Sequence, residues 1–245
     1  MSTDTETKVY EPAPTEVKLI GRSKRAMFFK QTSILDHNKL KFTDISLYSV
    51  TPWREADMIS NWILRYYKGD QSPLRSVGSS IKITDATANV GGNAISFHLC
   101  GFGLVNAVEN DKLTAKFLTN NLDAYGLATT NVHCCDYIVI SEKLEQDVVF
   151  IDAPWGGSDY KKQKSLDLFL TGINVADICQ QIIEKNRASL VALKVPANYN
   201  IIGLQTKLDG CTVTVRKVLR HNFHSYSMIF CHKSFSKKGT VRINF

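Results

Sequence analysis

Three loops of this chain carry side chains that could do chemistry together, and each follows a short apolar run. Val148-Val149-Phe150-Ile151 leads into Asp152-Ala153-Pro154-Trp155-Gly156-Gly157. An indole beside an acid and a proline can stack on a nucleic-acid base, while the carboxylate and a backbone carbonyl accept hydrogen bonds from the base's exocyclic amine. Those acceptors turn the amine lone pair towards a methyl donor. A sulfonium methyl is already an activated electrophile, so the protein has to supply alignment, desolvation and a proton acceptor, with no call for a metal or a covalent nucleophile. A strand-ending turn with a buried tryptophan is the plainer alternative, and the acid directly after four apolar residues weighs against it.

The second loop is Asp85-Ala86-Thr87-Ala88-Asn89-Val90-Gly91-Gly92-Asn93, between an expected strand and an expected helix. Glycines there let backbone amides come close to a ligand, and the helix start favours an anionic group. Glu109 ends the next apolar run about 20 residues on, where a carboxylate can hold both ribose hydroxyls of a nucleoside; it reads equally well as an acid at a helix start ahead of Lys112. Asp136 follows a third run and can accept from an adenine amino group. The full dinucleotide fingerprint is missing, because Ala86 to Asn89 lacks its first glycine, so S-adenosylmethionine fits better than NAD.

The elements that must position these loops alternate. The apolar pattern predicts strands at 81–85, 104–109, 131–134, 148–152, 190–195, 212–219 and 225–231, and helices from Trp53 through Tyr66 and at 93–100, 112–125 and 174–185. Strands alternating with helices imply an α/β domain with a mostly parallel sheet and helices on both faces, whose ligands sit beyond the carboxyl ends of the strands. Residues 1–22, rich in Thr, Glu and Pro, read as a flexible tail, residues 23–80 as an N-terminal extension contributing to the site, and residues 81–245 as the main domain.

At 245 residues, 44% hydrophobic and 22% charged, the composition is that of a globular protein of about one catalytic domain. Neither a secretory leader nor an apolar stretch of membrane-spanning length is read, so an intracellular place is expected, cytoplasmic or nuclear, or a virus factory if viral. Six cysteines without a CxxC pair read as reduced thiols. His221, His224, Cys231 and His232 match no standard zinc spacing, and no metal is expected. Residues 160–245 hold 14 Lys and Arg against 4 Asp and Glu; their excess of +10 exceeds the chain's +7 and leaves the first 159 residues at −3. That basic half suits a polyphosphate or nucleic-acid backbone, or is a solvated surface.

From about residue 40 to 205 the chain resembles the trimethylguanosine synthase family of cap-specific guanine-N2 methyltransferases. The resemblance lies in Ser49-Val50-Thr51-Pro52, Asp85-Ala86, Val90-Gly91-Gly92-Asn93, Asn120-Asn121, Tyr125-Gly126, Val148-Val149-Phe150, Pro154-Trp155-Gly156-Gly157 and Asp159-Tyr160. Its compact size is similar to members that large DNA viruses encode. The resemblance implies a Rossmann-like methyltransferase fold with a mostly parallel seven-stranded sheet and a helical N-terminal extension. It also implies S-adenosylmethionine as cofactor and N2 of a 7-methylguanosine cap as target. Trp155 would stack on that cationic base, gaining a cation–π contribution of about 1 to 2 kcal/mol over a neutral one, and Lys41 would lie near the cap phosphates. The chain departs from the family pattern at Asp152-Ala153, where Ser-Pro is usual, at Ala88-Asn89, at Leu47, and at Ala197, which replaces a phosphate-binding arginine.

The expected site therefore has Asp152, Pro154 and Trp155 at the reacting amine. Thr51, Asp85, Ala86, Gly91, Gly92, Asn93, Glu109, Asn110, Asp136, Tyr137 and Asp152 would surround the cofactor, and Lys41, Trp155, Lys194 and Asn198 the substrate, a cap nucleotide or capped RNA. Two rivals share this site: adenine-N6 methylation of RNA or DNA, which the acid at Asp152 favours, and an inactive RNA-binding scaffold, suggested by Ala88, Asn89, Ala153 and Ala197.

Overall fold

The computed structural model describes residues 13–18, 20–68, 80–127, 130–220, 223–233 and 241–244. Its main sheet has eight strands: β1 (Lys82–Asp85), β2 (Leu104–Glu109), β3 (Asn131–Cys134), β4 (Val148–Ile151), β7 (Leu190–Pro196), β8 (Cys211–Arg220), β9 (Phe223–Lys233) and β10 (Val241–Asn244). They lie in the order β10-β8-β9-β7-β4-β1-β2-β3. The β3-β2-β1-β4-β7 block is parallel, β9 runs antiparallel to both β7 and β8, and β10 joins β8 in parallel. A two-stranded hairpin, β5 (Phe169–Leu170) with β6 (Ile173–Asn174), stands apart.

All four side chains of β4 are buried, as a central strand covered on both faces requires. Successive side chains point to opposite faces, so Val148 and Phe150 join one core layer while Val149 and Ile151 join the other. The first layer is closed by α3 (Trp53–Lys68), α4 (Gly92–Leu99) and α5 (Lys112–Ala124). The second is closed by α6 (Tyr137–Ile140), α7 (Val175–Glu184) and α8 (Ile201–Lys207). Helix starts are set by side chains that take up free backbone N–H groups: Asp111 accepts from Thr114 N at 2.7 Å, Asp136 from Ile138 N at 2.9 Å and Asn174 from Ala176 N at 2.8 Å.

Two expectations need correction. The sheet has one strand beyond the seven, because the short C-terminal run Val241–Asn244 finds an open edge at β8. The tail over 1–22 is also not loose throughout. Thr15 donates its backbone N–H and its hydroxyl to Asp44, Val17 N donates to Phe42 O at 3.0 Å, and Glu16 bridges Thr43. Residues 1–12 lie outside the described residues. Ahead of α3 lie helices α1 (Arg22–Phe28) and α2 (Ser46–Ser49); Phe28 and Phe29 pack on Phe42 between them, and Phe29 meets Tyr125 at the end of α5. This extension is joined to the main sheet's first core layer.

Candidate active site

The carboxyl ends of β1, β2, β4 and β7 meet at one edge of the sheet. After β1 the chain turns through Ala86–Val90, and Gly91 takes φ of +104° as it enters α4, a conformation that glycine adopts without strain. Gly92 is needed for another reason: a Cβ there would lie 2.7 Å from Thr51 O and 2.8 Å from Val50 Cγ2. The loop that carries Thr51 is thus pressed onto the start of α4. Asn121, fully buried on α5, ties the same parts by donating to Val90 O and Lys41 O, both at 2.9 Å, and accepting from Lys41 N at 2.8 Å.

Asp85 is fully buried at the end of β1. Its Oδ1 accepts from Thr87 N at 3.3 Å, while Oδ2 has no hydrogen-bond partner. Burial pushes this carboxyl up to about 8, with the Asp152 and Glu109 carboxylates adding to the rise. Glu109 at the end of β2 accepts from Asn89 N and Asp111 N, each at 2.9 Å; burial raises it and those N–H groups draw it back. Each of its oxygens keeps a lone pair for a further donor.

Asp152 follows β4 and Lys194 lies on the neighbouring β7. The register Ile151↔Leu193, extended by one residue, sets them side by side, and the alternation along both strands points them to the same layer. Lys194 Nζ donates to Asp152 Oδ2 at 2.6 Å and to Thr51 Oγ1 at 3.1 Å, with only 10% and 13% of the Lys194 and Asp152 side chains exposed. The ammonium also lies 5.4 Å from the Trp155 ring centre and 5.6 Å from that of Tyr226. Burial raises the Asp152 carboxyl, and Lys194 opposes that rise. Trp155 is half-buried and packs edge-on to Tyr160.

Most of the expected residues therefore converge, and several of them have partners or placements that the sequence did not show. Lys41 pairs with Glu16 at 2.9 Å on the surface. Asn198 donates to Tyr160 O and Gln163 O, both at 2.8 Å, so it fastens the segment after Trp155. The Tyr137 ring is buried in the second core layer, where its hydroxyl accepts from Gln146 Nε2. Pro154 and Asn110 are exposed. Asp136, half-buried, caps α6 through Oδ1 and keeps Oδ2 available. Of the weighed metal group, His221 lies outside the described residues, His224 meets Ser227 Oγ and Cys231 is buried in the second layer.

Two neighbours were not anticipated. Thr87 Oγ1 accepts from Asp152 N at 2.9 Å, joining the loop after β1 to the loop after β4, and Tyr226 arrives from β9 opposite Pro196. Strand alternation could have placed Tyr226 on the Met228–Phe230 face; nothing in the sequence pairs β9 with β7. A cavity of about 300 Å³ between α7, α8 and the start of β8 lies at the opposite end of the sheet.

The site suits a nucleoside that ends in an amino acid. Asp85 Oδ2 and Asn93 Oδ1 are buried acceptors without partners, fitted to a ligand ammonium. Asn93 is itself held through Nδ2 on Thr51 Oγ1 at 3.1 Å. Glu109 and Asp136 each keep a carboxylate oxygen with an unused lone pair at the ends of the neighbouring strands.

A family model described as RNA cap guanine-N2 methyltransferase matches residues 81–236. An uncharacterized protein of Acanthamoeba polyphaga mimivirus is 33% identical over 191 residues, covering 72% of this chain and 74% of that protein. Among solved structures, a protein classed as a methyltransferase from Porphyromonas gingivalis superposes with a TM-score of 0.56 at 12% identity over 79% of this chain. The T. Thermophilus 16S rRNA N2 methyltransferase, solved with AdoMet and guanosine, gives 0.51 at 17% identity over 73%. This chain spans 43% of the length of each of those two, and the likeness is one of fold.

Proposed function

The chain belongs to the RNA cap guanine-N2 methyltransferase family, and from that membership we propose that it transfers a methyl group from S-adenosylmethionine to N2 of a 7-methylguanine cap on RNA. The observation that carries the reading is the convergence of Asp152, Trp155 and Asp85 at one sheet edge, with an acceptor for an amine beside an acceptor for the cofactor's ammonium. S-adenosylmethionine supplies a methyl group already activated on sulfur. Glu109 holds the ribose, Asp136 the adenine, and Asp85 with Asn93 the amino-acid end.

Trp155 lies under the base, and Asp152 accepts one N–H of its amine, so that the nitrogen lone pair faces the donor methyl. Methyl transfer would form the N–C bond as the methyl–sulfur bond breaks and S-adenosylhomocysteine leaves as a neutral thioether; the Asp152 carboxylate would stabilise the positive charge growing on the amine nitrogen and take up the released proton. The near-complete burial of Asp152 strengthens this interaction, since water does not screen it.

A second reading, adenine-N6 methylation, is favoured by the acid at Asp152 itself, which accepts from either exocyclic amine. The experiment that separates them is incubation with labelled S-adenosylmethionine and GTP, 7-methyl-GTP, capped RNA or uncapped adenine-rich RNA, followed by nucleoside analysis. Label on N2 of 7-methylguanosine is expected. Label confined to adenosine would replace the cap reading.

A further inference from the structure

Lys194 was expected among the substrate-binding residues, but its ammonium is committed to the protein itself. It is 8% exposed and donates to Asp152 Oδ2 and Thr51 Oγ1, with Trp155 and Tyr226 beneath it. We infer that Lys194 is a positioning residue for the reaction, fixing Asp152 as an oriented carboxylate so that Asp152 receives the amine N–H. The inference rests on the reading of Asp152 as amine acceptor and deepens it.

The argument turns on charge. Asp85 on β1 lies near Glu109 on β2 and Asp152 after β4, whose charges both raise its carboxyl. Tyr226 faces them from β9, itself held well above its usual range by burial. Beyond it, Glu55 of α3 pairs with Arg220 of β8. Lys194 is the cation paired directly with Asp152. A buried carboxylate that loses its partner takes a proton, because the charge is no longer compensated. A protonated Asp152 would present an O–H donor to an amine that is itself a donor, and the alignment of the lone pair would be lost. Thr51 completes the device: its hydroxyl accepts from both Lys194 Nζ and Asn93 Nδ2, so the ammonium is linked to the start of α4, where the cofactor's amino-acid end is expected.

The test reads Asp152 directly, with no methyl acceptor present. Infrared difference spectra of the full chain over pH, with Asp152→Asn identifying the band, report whether the carboxyl is protonated. In wild type the Asp152 band is absent at pH 7. In Lys194→Met and Lys194→Gln it is present at pH 7 and disappears on alkaline titration, while Lys194→Arg behaves as wild type. In turnover with the accepted substrate, kcat of the two uncharged variants falls about tenfold or more at pH 7 and recovers as pH rises, with KM changed less than about threefold. Lys194→Arg restores it. A protonated Asp152 in wild type at pH 7 overturns the inference even if the variants fail to fold, as does an ionised Asp152 in both uncharged variants. The labelled nucleoside is read separately, so a wrong target base leaves the carboxyl titration intact.

Discussion

Glu109 at the carboxyl end of β2 accepts a hydrogen bond at 2.9 Å from the backbone N–H of Asn89, twenty residues earlier in the turn that follows β1. One acid thereby does two things. It fixes the loop in which Asn89 adopts a positive φ of 50°, and under the proposed function its remaining lone pairs take the two ribose hydroxyls. The Asn89 side chain continues the link by donating to Ser49 Oγ at 2.8 Å, which brings the N-terminal extension to the rim of the same loop.

Removing that acid should cost both contributions. Glu109→Ala is expected to weaken S-adenosylmethionine binding by roughly 1.5 to 3 kcal/mol, about tenfold to more than a hundredfold. Glu109→Gln should lose less, because the amide oxygen still accepts from one N–H. Titration calorimetry checks both, and an alanine variant with wild-type affinity would place the ribose elsewhere.

Asp85 sets a pH dependence whose sign is fixed by its burial. Its folded-state value of about 8 lies above the ordinary 3.8, so between those limits the folded protein holds a proton that the unfolded chain has released. Stability from this group therefore falls as pH rises from about 4 to about 8, and Glu109 and Asp152, also raised, act in the same direction. Asp85→Asn should flatten the dependence and stabilise the ligand-free protein at pH 8, by on the order of a few kcal/mol. The same variant should bind the cofactor less tightly, since a neutral amide replaces the partner of an ammonium. Chemical denaturation at several pH values, with and without cofactor, measures both; equal destabilisation of the variant at every pH would contradict the buried-charge account.

Gly92→Ala tests the joint between the extension and the main domain. The added methyl meets Thr51 O and Val50 Cγ2 inside 3 Å, so either the Thr51 loop or the start of α4 must shift. A loss of about 1 to 3 kcal/mol is expected, together with weaker cofactor binding, because Thr51 holds both Asn93 and Lys194. A variant with unchanged melting temperature and unchanged cofactor affinity would show that the contact is not needed.

The parallel strands were legible because they are short and bounded by the very loops that carry chemistry: β2 and the edge strand β3 match the expected spans, and β4 ends one residue before Asp152. Asp85, Glu109 and Asp152 were visible as acids that close apolar runs. What could not be read was pairing across the sheet. The Asp152–Lys194 contact depends on β4 lying beside β7, and Tyr226 on β9 inserting antiparallel beyond it. Neither follows from periodicity, which gives the face of a side chain and not its neighbour strand. The short α6 and α8 and the strand β10 escaped for a simpler reason, since four to seven residues hold too few repeats to reveal a period.

Trp155 offers the sharpest separation of a cap base from an ordinary one. Lys194 lies 5.4 Å from its ring centre and the Tyr160 ring stands at 78° to it; under the proposed function the base stacks on the part of this half-buried ring that solvent reaches. The Lys194 charge is matched by Asp152, and the indole can therefore favour a cationic base without strong repulsion from the nearby ammonium. A 7-methylated guanine is such a base, and stacking on tryptophan should prefer it over neutral guanine by about 1 to 2 kcal/mol. Trp155→Ala should weaken 7-methyl-GTP binding by about 1 to 3 kcal/mol, while S-adenosylmethionine affinity stays close to wild type. Trp155→Phe should retain part of the stack and less of the preference, as phenylalanine is the weaker cation partner. Fluorescence quenching with 7-methyl-GTP and GTP side by side gives the comparison. If wild type binds the two equally, or if Trp155→Ala lowers both affinities by the same factor, the ring is reading the plane of a base and not its charge, and cap recognition loses its basis in this residue.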